Sequence, residues 1–261
     1  MPHQRFFIVP GVLLGAALLT MSADSAALYP QEKTPGRAIQ QLISEVDLSC
    51  SFFLAEAPPS LRIAAPARDN EKSVLSDFDE FYVDAGGMEF PRDQAWQIVE
   101  SGPVFRAGGE GGAAGTVVFK RGRARFVRRE GEKALFRVEK ACGPIMVGSG
   151  LVPFIESPTL RGEVLPWEGP FQGGDVLTGR VVFLDNDLVQ LSAGLWALID
   201  LGTEHGLAVG RQLTVFHKEG EAVPPQAVGT VIVIDAGGRW ATIKALGSRD
   251  AIRLGDLVQV K

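Results

Sequence analysis

Histidine and cysteine are scarce in this chain: 261 residues hold three His and two Cys. Zinc centres and nucleophilic sites need His, Cys or carboxylates converging at recognisable spacings. His205 and His217 stand apart, with no Cys or carboxylate at ligand spacing around either. Neither a metal site nor nucleophilic chemistry is therefore expected, and His205, in a Gly-flanked turn, reads as a loop residue. A basic excess is also missing. The chain has 26 Lys and Arg against 31 Asp and Glu, a net charge of −5, which argues against a nucleic-acid partner. The Gly-rich stretch Gly108 to Gly112 lacks the Lys and Ser or Thr of a phosphate loop. The sequence thus points to no cofactor and no enzymatic activity.

What is present begins with an export signal. Arg5 precedes an apolar run from Phe6 to Met21, interrupted by Pro10 and Gly11, and the small-residue stretch Ser22 to Ala27 follows. This order is that of a secretory signal peptide cleaved after Ser25 or Ala27. The run falls short of the roughly 20 apolar residues that a spanning helix needs. No Cys follows it closely, so a lipid anchor is not indicated. A periplasmic or secreted protein is expected, with no transmembrane anchor after processing. In such an oxidising compartment Cys50 and Cys142 either bridge or remain two buried thiols. Two cysteines allow one connectivity without showing that their Cα atoms come within reach.

Five segments follow: residues 1–27 as signal peptide, 28–57 as an N-terminal helical segment, 58–155 as a first β module, 156–174 as a linker and 175–261 as a second β module. Between Gln31 and Phe53, the spacing of Ala38, Ile39, Leu42, Ile43 and Val46 predicts one short amphipathic helix, started near Thr34-Pro35 and ended before Pro58-Pro59. Beyond Pro59 the chain is short apolar runs punctuated by Gly, Asp, Asn and Pro, the pattern of many short strands. Those runs repeat. Leu75, Ser76, Asp84 and Gly86 match Leu191, Ser192, Asp200 and Gly202 at an offset of 116. Gly122, Ala134, Ile145 and Gly148 match Gly229, Ala241, Ile252 and Gly255 at an offset of 107. The first copy therefore carries about nine extra residues near Ala107 to Gly115, expected in a loop where length costs little. The fold class is mainly β: two tandem small barrel-like domains, because closure removes exposed strand edges. The Pro- and Gly-rich linker is open to both a flexible hinge and a packed connection.

Leu75 to Gly86, the loop Asp200 to Gly210, and the endings Pro144 to Gly148 and Ile252 to Val258 carry a family resemblance. They resemble the paired β modules that follow LysM domains in proteobacterial envelope proteins. The second copy is also similar to the carboxy-terminal barrel of the flagellar assembly protein T family. The resemblance covers roughly Leu61 to Lys261 and implies a cell-envelope, peptidoglycan-associated setting. No LysM domain precedes the modules here, so peptidoglycan binding transfers to no residue. The first copy also has Met88 to Asp93 where the second has Glu204 to Gly210, which predicts a remodelled loop.

Three groups of residues are candidates for function. Lys120, Arg121, Arg123, Arg125, Arg128 and Arg129 form a basic run, readable as a patch for a polyanion or acidic partner or as the solvated face of a strand. Asp84, Gly86, Asp200, Gly202, Gly206, Gly210, Gly148 and Gly255 read as structural turn residues. Asp77, Asp79 and Glu80 add carboxylates near Asp84, but the second copy has Ala193, Leu195 and Trp196 in their place, against acid–base chemistry shared by both copies. The expected function is that of a non-enzymatic envelope protein whose modules engage a protein partner or support an assembly. The alternative is a direct binder of peptidoglycan or another polysaccharide, with Trp96, Trp167, Trp196 and Trp240 stacking on sugars.

Overall fold

The computed structural model describes residues 38–68, 73–106, 114–167, 169–185, 188–220 and 222–261. The signal-peptide segment and Thr34-Pro35 lie outside the described residues. Among the described residues no helix is long and apolar enough to cross a membrane.

The N-terminal segment departs from the single helix that its spacing predicts. Its described part is a strand β1 (Gln40–Ile43), a helix α1 (Glu45–Cys50) and a strand β2 (Phe52–Ala55). Ser44 separates the first two: its Oγ accepts the Asp47 N–H while the Asp47 carboxylate accepts the Ser44 N–H, a capping box. The apolar residues that suggested one face do not share one environment. Leu42 and Ile43 are buried, whereas Ile39 and Val46 are exposed. Tertiary packing decides the outcome, as it does for most short segments of weak propensity.

The first module supplies β3 (Leu61–Pro66), β4 (Val74–Leu75), β5 (Glu80–Asp84), β6 (Ala95–Arg106), β7 (Ala114–Glu130), β8 (Lys133–Ala141), β9 (Ile145–Met146) and β10 (Gly150–Pro153). After β11 (Leu160–Gly162), the second supplies β12 (Thr178–Leu184), β13 (Gln190–Leu191), β14 (Trp196–Ile199), β15 (Gln212–His217), β16 (Gln226–Ala236), β17 (Ala241–Ser248), β18 (Ile252–Arg253) and β19 (Leu257–Val260). Each module closes into a six-strand barrel. The first runs β3-β5-β8-β7-β6-β10 and returns to β3, and the second runs β12-β14-β17-β16-β15-β19 and returns to β12. Strand for strand the order is the same, and the ribbons β4–β9 and β13–β18 are equivalent as well. The duplication visible in the sequence is therefore a duplication of topology.

Alternation along the strands fills each interior. In β5, Phe81 and Val83 point inward and join Ile63, Ile98, Phe136 and Ile145. The second barrel is filled by aliphatic side chains, among them Val181, Ile199, Leu213, Val215, Val231 and Ile243. The matched pair Gly122 and Gly229 sits where two strands approach too closely for a side chain. A Cβ at Gly122 would strike the Lys140 carbonyl, and one at Gly229 would lie 2.6 Å from the Gly247 carbonyl.

The strands that flank the expected insertion, β6 and β7, are longer than their counterparts β15 and β16. Past Val99 and before Gly122, β6 and β7 continue as a paired arm through Val104–Thr116, Phe105–Gly115 and Arg106–Ala114. β2 adds to the edge of this arm, pairing Phe52 with Phe119 and Ala55 with Thr116. Residues 107–113 lie outside the described residues. The described part of the arm has an apolar face that is covered. Phe52, Leu54, Phe105, Val117 and Phe119 pack on the outer face of the second barrel, against Val182, Phe183, Trp196, Leu198 and Trp240. β1 and α1 cover a neighbouring part of the same barrel, with Leu42, Ile43 and Leu48 against Ile232, Ile234 and Leu246. The linker is a packed connection: β11 pairs with β1, and Trp167 and Phe171 lie on Phe216 and Leu257. Residues 37–261 consequently form one compact unit.

Candidate functional site

α1 is one of the pieces that fasten the two barrels together, beside the arm. Cys50, at its end, is bonded to Cys142 just after β8, with a Cα–Cα distance of 5.3 Å. The pairing left open by the sequence is thus a disulfide joining the N-terminal segment to the first barrel. On the other side, buried Asp47 accepts Lys244 Nζ at 2.6 Å and Trp196 Nε1 at 2.9 Å, both from the second barrel. Burial pushes the Asp47 carboxyl up, but hydrogen bonds from Lys244, Ser44 and Trp196 outweigh that and hold it below its ordinary value.

The basic run is mostly paired with acids where it stands. Lys120 pairs with Asp235 of the second barrel at 3.0 Å, and Arg121 with Glu100 at 2.6 Å. Arg123 and Arg125 share Glu139 at 3.1 and 2.6 Å, with Glu45 also 3.3 Å from Arg123. Arg128 meets Glu130 at 2.5 Å, and Arg129 donates to the carbonyls of Gly86 and Met88. Six cations with six sets of local partners do not make a free positive surface. The spacing of like charges in one strand gave no view of acids on the strands beside it.

Most of the turn residues serve as turns. Gly148 and Gly255 adopt φ of 92° and 87°, the left-handed region that favours glycine, at matching ends of the ribbons β4–β9 and β13–β18. Ser149 and Asp256 follow them, and their side chains accept the backbone N–H of Met146 and Arg253. Gly86, Gly206 and Gly210 are left-handed too. Gly202 is not: its φ is −147°, and a Cβ there would meet the Gly237 carbonyl. It is small for want of space. Asp200 accepts the Arg180 N–H at 2.5 Å, whereas Asp84 is exposed. In the remodelled loop, buried Phe90 replaces the Leu207 plug of the second barrel and packs on Trp96, Phe126 and Phe136.

The carboxylates of the first module are tied up structurally. Asp77 accepts the Ala141 N–H and Asp79 the Ser76 N–H. Arg137, with Arg68 beside it, holds the Glu80 carboxyl below its usual range, so it is not a proton donor near neutral pH. His205 accepts the Gly202 N–H through Nδ1 and caps its own turn. His217 has a carboxylate that sequence spacing missed: Nδ1 lies 2.6 Å from buried Asp256, with Arg253 on Nε2 at 3.2 Å. Those contacts pin β15 to the β18–β19 turn. Among the described residues no group of three or more His, Cys, Asp and Glu is placed to hold a metal ion.

The tryptophans are not exposed platforms. Trp96 is buried in the first barrel, Trp196 bonds Asp47, Trp240 packs edge-on against Phe105, and Trp167 lies on the second barrel.

Two surfaces remain. The first is the ribbon end of each barrel. In the first barrel Val74, Phe78, Met146 and Val147 are exposed there, and in the second Val189, Leu195 and Leu254. The turns are equivalent in their backbone bonds: Phe78 N–H donates to Val138 O of β8 and Gly194 N–H to Ala245 O of β17, each from the strand paired with the one that follows the turn. Phe78 has φ of 69° and is the one non-glycine with positive φ among the described residues. The second surface is a cleft of about 500 Å³ between the barrels, lined by Leu48, Phe53, Gln97, Phe154, Val209 and Ile234 among others, with the Lys120–Asp235 pair in its wall. No sequence signal pointed to it, because its walls come from distant segments.

No protein-family model matches the chain, and a search of curated proteins finds no match.

Proposed function

We propose that this is an exported, non-enzymatic cell-envelope protein whose two barrels bind a protein partner through their ribbon ends. The observation that carries the reading is that both copies expose apolar side chains at the same end of the module, although the residues there differ. Phe78 and Gly194 occupy one position, Asp79 and Leu195 the next, so it is apolar character rather than a particular residue that recurs. Exposed apolar side chains gathered at one end of a small barrel are the kind of surface that meets a partner. In the first barrel the exposed Phe also sits in a backbone conformation that costs about 1–2 kcal/mol for a residue with a side chain. The apolar run Phe6 to Met21 and the Cys50–Cys142 bridge support an oxidising destination outside the cytoplasm. The likeness to paired envelope modules agrees with it.

The test is site-specific photo-crosslinking in an envelope fraction. A photoreactive side chain at Phe78 or Leu254 is expected to give one discrete adduct, and one at exposed Val104 on the arm is expected to give none. Equal labelling from all three positions, or none from any, overturns the proposal.

A further inference from the structure

The cleft between the barrels has the properties of a ligand site that the interaction reading does not use. Its volume, about 500 Å³, lies within the range of small-molecule sites, which are mostly apolar with a few placed polar groups. Its walls come from α1, β2, the end of β10 and β16. The disulfide and the Asp47–Lys244 pair hold those walls in fixed positions, so the cleft is preformed.

The polar groups define the ligand. Gln97 lines the cleft and is 3% exposed. Its Nε2 donates to Ser49 O at 2.9 Å and to Gly122 O at 2.7 Å. The amide is therefore oriented, since the reverse orientation would set its oxygen against two carbonyls. Its Oε1 is buried with no hydrogen-bond partner. With Nε2 committed to those two carbonyls and Oε1 shut away from solvent, Gln97 sets no polar demand on a ligand. The charges in the wall, Lys120 and Asp235, already neutralise each other at 3.0 Å. A charged ligand would find no counter-ion there and would lose its hydration. We infer that the cleft binds a neutral, largely apolar small molecule.

N-phenyl-1-naphthylamine is a suitable probe, being neutral, aromatic and largely apolar. Titrated into the processed protein, it is expected to give a saturable rise in fluorescence with one site per chain and to raise the melting temperature. Its sulfonated, anionic analogue is expected to bind about tenfold or more weakly. Val209→Trp fills the cleft from a residue that is 43% exposed, and Ile155→Asp places a charge at a lining residue that is 82% exposed. Each should weaken the probe by about tenfold or more, and the second keeps the test alive if the first does not fold. Phe78→Ser, at the ribbon end, should leave probe binding unchanged and so separates this site from the partner surface. Unsaturable fluorescence, equal binding of the anionic analogue, full binding by both cleft variants, or loss of binding in Phe78→Ser overturns the inference.

Discussion

Phe78 shows what a single residue contributes to this fold and what it costs. Gly194 holds the equivalent turn with φ of 89° and no neighbouring atom within reach of a Cβ. Phe78 holds it with φ of 69° while 77% of its surface faces solvent. Burial therefore does not repay the backbone cost, and the turn is kept by its bonds: Phe78 N–H to Val138 O, Ser76 N–H to Asp79, and Val138 N–H to Asp79 O. Phe78→Gly is expected to raise stability in urea by up to about 1 kcal/mol while removing the ring proposed to meet a partner. A loss of stability on that change would mean the ring packs usefully in the isolated protein. The nearby ribbon glycines Gly148 and Gly255 were legible because left-handed backbone leaves little choice of residue. Phe78 was not, because nothing in its own chemistry announces such a conformation.

At the scale of the element, α1 depends on its surroundings. Six residues are far below the length at which a helix is stable alone, so the Ser44 cap and the contacts of its two ends must hold it. The Asp47–Lys244 pair is the strongest of these that titrates. Asp47→Ala leaves the Lys244 ammonium largely buried without its partner and should cost about 3 kcal/mol at neutral pH. The carboxyl is held below its ordinary value in the folded chain, so its contribution is complete above about pH 5 and is lost as the pH falls through the lowered folded value. Denaturant unfolding of the native chain and of Asp47→Ala should accordingly converge on acidification, and a constant gap between them down to low pH would contradict the latch. The same scale accounts for the errors in reading the sequence. Apolar spacing from Ala38 to Val46 resembled a helix because short strands and helices share such patterns, and only the second barrel's Ile232 and Ile234 settle which side chains are covered. The apolar face of the arm was not legible either, because what covers it, Trp240 and Leu198, lies elsewhere in the chain.

For the whole molecule, the bridge between Cys50 and Cys142 closes a separation of 92 residues and ties the shared N-terminal segment to the first barrel. Cys50→Ser with Cys142→Ser is expected to lower stability by roughly 2–5 kcal/mol. Because α1 and β2 also touch the second barrel, the expected unfolding is one transition in the native chain and two in the variant, read by calorimetry. An unchanged single transition would show that the barrels are coupled without the bridge. The amino-acid sequence by itself determined the duplication, the β class and the tight turns, because each is written in residues whose backbone or alternation requirements are local. Tertiary structure alone decided the charge partners of the basic run, the arm and the cleft. Lys120 and Asp235 are 115 residues apart, and no local rule relates two side chains at that distance until both barrels have closed and been locked together.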